Sequence, residues 1–242
     1  MKKTGKLCAV LLVLLLCTMA VAACAPSAFV KALASDPPAV ESAGAGKMDA
    51  DPSPEKTDEP APSETPAASY APGTLSETGF DSEYLGLSFR IPEGSDFVMS
   101  TKEELDAQVD AEMKKQGVDM EEAGDMYTYE MMAVSLEDGA NAIVSTERVP
   151  LGNITPALYL STVGKSLEAS GYTVGDVETV QLAGRDFAKL STTMSAGGAD
   201  TIQDYYSTKQ DDRIVSIIVT YASGTEDKIE SLLAAFAPYT AG

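Results

Sequence analysis

Downstream of about residue 80 the chain switches between two hydrophobic periods. Tyr84-Leu85-Gly86-Leu87-Ser88-Phe89-Arg90-Ile91 alternates apolar and polar positions and stops at Pro92-Glu93-Gly94, which predicts a strand and a turn. Thr101 with Glu104 three residues on predicts a capped helix start, and Leu105, Val109 and Met113 then share one stripe until Gly117. Tyr127 to Leu136 and Asn141 to Val149 are strand-like runs around the tight turn Glu137-Asp138-Gly139-Ala140, a hairpin pattern. Thr155 as cap, Pro156 at the first helical position and Leu160, Val163 and Leu167 on one side predict a second helix ending at Gly171. Four further strands follow, Val177–Leu182, Arg185–Thr193, Thr201–Lys209 and Arg213–Tyr221. Ala183-Gly184, Gly197-Gly198 and Gln210-Asp211-Asp212 separate them at the spacing of an antiparallel meander. A closing helix from Thr225 to Phe236 turns Ile229, Leu232, Leu233 and Phe236 inward.

The predicted order is β-α-β-β-α-β-β-β-β-α. Short loops between the late strands require antiparallel pairing, so the fold class is α+β: an α/β sandwich with one mostly antiparallel sheet covered by three helices, over residues 81–242. The opening strand Tyr84–Ile91 with Pro92-Glu93-Gly94, the passage Leu167-Glu168-Ala169-Ser170-Gly171-Tyr172, the stretch Val180-Gln181-Leu182-Ala183-Gly184-Arg185-Asp186-Phe187 and the terminal helix together resemble PsbP-like and Mog1-like domains. That resemblance implies a small sandwich serving as a protein-interaction or accessory module with no shared active site, and it transfers no catalytic residue. In layout the chain also looks like clostridial surface lipoproteins of unknown role.

The first 80 residues follow different rules. Lys2, Lys3 and Lys6 precede an uncharged apolar run from Leu7 to Ala23, the order of a secretory signal. As a helix that run rises about 25 Å, slightly less than a bilayer's hydrocarbon core. Val21-Ala22-Ala23-Cys24 resembles the lipobox of bacterial lipoproteins. The resemblance implies a signal peptide at 1–23, cleavage before Cys24, lipid attachment on the Cys24 sulfur with N-acylation there, and a location on the extracytoplasmic face of the cell membrane. Two or more acyl chains hold firmly where one holds reversibly. Cys8 and Cys17 fall within the signal, so neither a free thiol nor a disulfide is expected in the mature protein.

Residues 24–80 carry nine of the thirteen prolines and runs such as Asp51-Pro52-Ser53-Pro54-Glu55 that lack any apolar period, which predicts a disordered acidic Pro-rich tether. By coil scaling it would span roughly 40 Å, lifting one globular domain from the membrane.

Composition then narrows the chemistry. The 242 residues hold 37 Asp plus Glu, 17 Lys plus Arg and no His, a net charge of −20 that disfavours nucleic acid and polyanions and favours neutral or cationic partners. Absence of histidine excludes the Ser-His-Asp mechanism, and no Gly-x-Ser-x-Gly elbow occurs. Gly44-Ala45-Gly46-Lys47 lies in the tether, outside the strand-to-helix context of a phosphate loop. Glu137-Asp138, Asp211-Asp212 and Glu121-Glu122-Ala123-Gly124-Asp125 lack the spacing of a calcium loop and read as solvated turn acids, so no metal and no cofactor is expected. Met113, Met120, Met126, Met131 and Met132 cluster in twenty residues. Most of them would fill the core, while Met120 and Met126, with Tyr127, Tyr205 and Tyr206 as rigid walls, form the candidate partner-binding surface. Alternation places Tyr205 and Tyr206 on opposite faces, at most one of them in the core. The resulting expectation is a non-catalytic, lipid-anchored domain that binds a secreted protein or an envelope component. A solute- or wall-fragment-binding lipoprotein serving a transporter, and a hydrolase working with carboxylates alone, are the alternatives.

Overall fold

The computed structural model describes residues 69–115, 126–149 and 154–241, the side chains of Glu112, Met113 and Lys115 excepted. The elements are β1 (Thr74–Ser76), β2 (Gly79–Ser82), β3 (Leu87–Arg90), β4 (Phe97–Met99), α1 (Lys102–Lys115), β5 (Tyr127–Ser135), β6 (Asn141–Arg148), α2 (Pro156–Ala169), β7 (Thr173–Val174), β8 (Glu178–Leu182), β9 (Arg185–Ala196), β10 (Ala199–Gln210), β11 (Arg213–Ala222), α3 (Glu226–Ala234) and β12 (Phe236–Pro238). They form an α+β fold in which three helices pack against antiparallel sheets.

The strands make two sheets where one was expected. The larger runs β4-β5-β6-β11-β10-β9-β7, with β8 also on β9, and the smaller runs β1-β2-β3-β12. Every pairing among the described residues is antiparallel. Phe236, predicted as the last inward residue of the closing helix, instead pairs with Phe89 and adds β12 to the edge of the smaller sheet, the two rings tilted against one another at 4.8 Å.

Local rules hold where they apply. The Thr101 amide donates to Glu104 Oε2 at 2.8 Å while the Glu104 amide donates to Thr101 Oγ1 at 3.3 Å, a complete capping box that starts α1. Thr155 Oγ1 accepts the Leu158 amide and Pro156 opens α2.

The larger sheet is covered on both faces. Leu105 and Val109 of α1 pack on Tyr129, Met132, Val134 and Ile143, and Leu160 and Leu167 of α2 pack on Leu190, Tyr205 and Ile218. On the opposite face the main core joins Phe80, Leu87 and Phe89 of the smaller sheet and Ile229 and Leu232 of α3 to Met131, Val144, Tyr206, Val215, Ile217 and Val219. The period of two along β11 divides these sets, with Val215, Ile217 and Val219 on one side and Ile214 and Ile218 on the other.

One bulge breaks the alternation. The register slips between Tyr129 and Met131, so Glu130 is an extra residue and Tyr129 shares a face with Met132. Glu130 turns to the smaller-sheet side, where Oε1 accepts the Tyr70 hydroxyl at 2.5 Å and Oε2 accepts the Gly73 amide at 2.9 Å. The Tyr70 ring lies 3.7 Å from the guanidinium carbon of Arg213, which is 1% exposed, and meets Tyr84 edge-on at 5.4 Å. Burial, then the bond to Glu130, pushes the Tyr70 phenol up to about 12. Gly73 sits so close to Phe80 that a Cβ would lie 2.2 Å from its ring. Residues 70–80, expected to belong to the tether, are therefore built into the domain. Residues 24–68, Cys24 among them, and the signal at 1–23 lie outside the described residues.

Candidate functional site

Cross-strand pairing fixes four rows of side chains on the helix-covered face of the larger sheet. Two are wholly or mostly apolar or amide-lined, Met132–Ile143–Ile218–Tyr205–Leu190 and Val134–Asn141–Thr220–Gln203–Thr192. The third is Tyr129–Ser145–Ser216–Ser207, with Ser207 and Ser216 hydroxyls bonded at 2.8 Å. The outermost is Tyr127–Glu147–Ile214–Lys209. Glu147 is thus an acid at a position where the period of two calls for an inward residue, on the same side as Ile143 and Ser145.

Helix α2 closes over that row. Its cap fixes the first turn, and Tyr159, whose amide donates to the Thr155 carbonyl at 2.9 Å, packs against the small apolar cluster of Val149, Ile154 and Ile214. From there its hydroxyl donates to Glu147 Oε2 at 2.8 Å. Glu147 is 6% exposed. Burial pushes its carboxyl up to about 7, and the Tyr159 bond opposes that rise only in part. Among the described residues no basic side chain makes an ion pair with it. Tyr127, half-buried across the strand from Glu147, stands edge-on to Tyr129 at 5.3 Å. Burial, then the neighbouring Tyr129 and Tyr159, raises the Tyr127 phenol well above its usual range. Met126 stands at the margin, 37% exposed, its carbonyl accepting the Arg148 amide at 2.7 Å.

Of the residues predicted for the partner surface, Tyr127 lies across from Glu147, Met126 precedes it opposite Arg148, and Tyr205 and Tyr206 lie elsewhere in the sheet. Tyr205 is 3% exposed beneath α2 and donates to Gln203 Oε1 at 2.8 Å. Tyr206 is 7% exposed in the main core, with the Lys189 ammonium 5.7 Å from its ring. Both tyrosines are core, a correction to the expectation of at most one, because a helix covers one face of their strand and the smaller sheet the other. Met120 lies outside the described residues. Glu147 and Tyr159 were missed. A lone acid in phase with Ile143 on a predicted strand, and a tyrosine three residues after Pro156, were the available signals.

A second polar cluster joins α3 to the β5–β6 hairpin. Lys228 Nζ lies 3.2 Å from Asp96, 2.9 Å from Asp138, 3.5 Å from Glu137 and 3.2 Å from Ser135 Oγ. A serine beside a lysine can be a nucleophile and its base, but that requires a neutral amine. Here the partial burial that would lower the Lys228 pKa is outweighed by Asp138 and Asp96, which raise it, and the Ser135 hydroxyl donates to Asp96 Oδ2 at 2.6 Å. Burial acts to raise the carboxyls of Asp96 and Asp138, yet Ser135, backbone amides and Lys228 hold both below their usual range. This cluster is a strut, and it is what the turn acids Glu137 and Asp138 do. Asp212 likewise pairs with Arg148 at 2.8 Å. Glu121, Glu122 and Asp125 lie outside the described residues. Among the described residues no three metal-ligating side chains converge, and no helix is long and apolar enough to cross a membrane.

No family model matches the chain, and no curated protein matches it. Among solved structures it is similar to PsbP of the cyanobacterium Synechocystis (CyanoP), at 12% identity over 72% of this chain and 100% of that one, with a TM-score of 0.42. A Bacteroides thetaiotaomicron protein aligns at 12% identity over 69% of this chain, with a TM-score of 0.39, and this chain spans half of its length. LpqN of Mycobacterium tuberculosis, described as involved in cell envelope biogenesis, aligns at 16% identity over 48% of this chain and 80% of that one, with a TM-score of 0.35. These are broad likenesses of fold at low identity.

Proposed function

We propose that this chain is a non-catalytic binding module, held outside the cell by lipid on Cys24, that grips a protein of the envelope at the surface formed by Met126, Tyr127, Glu147 and Tyr159. The observation that carries the reading is Glu147. A nearly buried carboxylate whose pKa is about 7 in the fold opposes folding at neutral pH. An acid kept at such a cost, across from a half-buried tyrosine, marks a place where something else binds. The net charge of −20 supports a cationic or neutral partner, and the signal, the lipobox and the Pro-rich tether support a location beyond the membrane.

The test is site-specific photocrosslinking on intact cells. A crosslinking residue at position 126 should capture a discrete partner, while one at the exposed Glu230 of α3 should capture none. Equal capture from both positions, or from neither, overturns the reading.

A further inference from the structure

Resting on that reading of the surface, we infer that Glu147, Tyr127 and Tyr159 form a receptor for an alkylammonium group, the side chain of a lysine on the partner protein. Tyr159 occupies Oε2 of Glu147, which leaves Oε1 as the acceptor for an incoming donor. One free oxygen suits the point charge of an ammonium, whose three donors need no fixed plane. An arginine fork needs two acceptors side by side. Tyr127 and Tyr159 exclude water from the carboxylate, and a tyrosine ring attracts a cation brought against it. Charge complementarity points the same way, since the chain as a whole attracts cations.

Among the described residues no lysine or arginine bonds Glu147. Facing Glu147 are Tyr127 from β5, Ile214 from β11 and Tyr159 from α2. Lys209 stands in the same row beyond Ile214, two strands or roughly 10 Å away. Arg148, the next residue on β6, turns to the opposite face and pairs with Asp212. Binding therefore requires an ionised Glu147, and the bound ammonium stabilises that form. With a midpoint near 7 in the free protein, affinity at pH 5.5 should be about thirtyfold weaker than at pH 8.

The experiment titrates the intact chain with N-acetyl-lysine N-methylamide and follows the Glu147 carboxyl carbon by NMR, using the norleucine analogue as the probe without charge and tetramethylammonium as the cation without donors. The inference expects the lysine probe to lower the Glu147 midpoint and to bind more weakly at acid pH. Tetramethylammonium should bind less well, and the norleucine compound should leave the midpoint unmoved. Glu147→Gln should abolish the response, and Tyr159→Phe, which keeps the ring and frees the second oxygen, should retain it. Equal binding of lysine and norleucine probes, or an undiminished response in a folded Glu147→Gln variant, overturns the inference. Should that variant fail to fold, the pH dependence of the unaltered chain decides alone. Capture of a partner from position 126 without any lysine response leaves the surface standing and removes the ammonium. A lysine response without capture supports the receptor and removes the protein-binding reading.

Discussion

Removing the side chain of Tyr70 tests where the folded domain begins. Tyr70 belongs to no strand or helix, yet its ring covers the Arg213 guanidinium and its hydroxyl donates to Glu130, and both of those charged residues are buried. Tyr70→Phe keeps the ring and leaves Glu130 one donor short. Hydrogen bonds to charged groups contribute about 1.5–3 kcal/mol, and the Gly73 amide remains on the other oxygen, so the loss should sit near the lower end, about 1.5 kcal/mol. Tyr70→Ala also removes the stacking on Arg213, about 1–2 kcal/mol for a desolvated cation–π contact, for a total of about 3 kcal/mol. At about 2–4 °C per kcal/mol for a domain of this size, the alanine variant should melt roughly 6–12 °C lower. Thermal unfolding of both variants supplies the numbers, and a chain beginning at residue 74 should lose at least as much as Tyr70→Ala while one beginning at residue 69 loses nothing. Equal stability of all these proteins would refute the reasoning and return residues 70–73 to the tether.

Three further outcomes follow from the described contacts. Glu147 has a carboxyl raised from an ordinary value of 4.5 to about 7, so the fold binds its proton more tightly than the unfolded chain does. Stability should therefore fall as pH rises from about 4.5 through 7, by roughly 3 kcal/mol, and Glu147→Gln should flatten that slope and be the more stable protein at pH 8 in chemical denaturation. Lys228→Met should cost about 1 kcal/mol at neutral pH, because three carboxylates lose a partly exposed partner. Asp96 and Asp138 have lowered carboxyls, whose stabilisation is present above the ordinary range near 3.8 and is lost as pH falls, so the difference between Lys228→Met and the unaltered chain should shrink in acid unfolding curves.

What the sequence made legible was set by local rules, and what it hid was set by distant contacts. Thr101 with Glu104, Thr155 with Pro156 and the turn at Glu137–Ala140 specify their elements within four residues, and the structure builds all three. Strands β1 and β2 have three and four residues in a stretch that is polar and close to prolines, and what holds them is pairing with β3 and the packing of Phe80 on core residues far along the chain. Phe236 fits a helical stripe with Ile229, Leu232 and Leu233, and only its pairing with Phe89 makes it a strand residue. Those two omissions are why a second sheet went unforeseen. The tyrosines at 205 and 206 show the same limit, since alternation tells that they face opposite ways and cannot tell that both faces are covered. In the candidate site, Tyr127 was named from the sequence as one of several walling tyrosines, whereas Glu147 gained meaning only when Tyr159 arrived from another element.

The central claim is that the domain works outside the cell on a lipid anchor, and the mass of the amino-terminal peptide of the chain extracted from membranes tests it most directly. The account predicts a peptide beginning at Cys24 and carrying a diacylglyceryl thioether, with residues 1–23 gone. An unmodified thiol at Cys24, or a leader still attached, would contradict it and would move the surface around Glu147 to a different compartment with different partners.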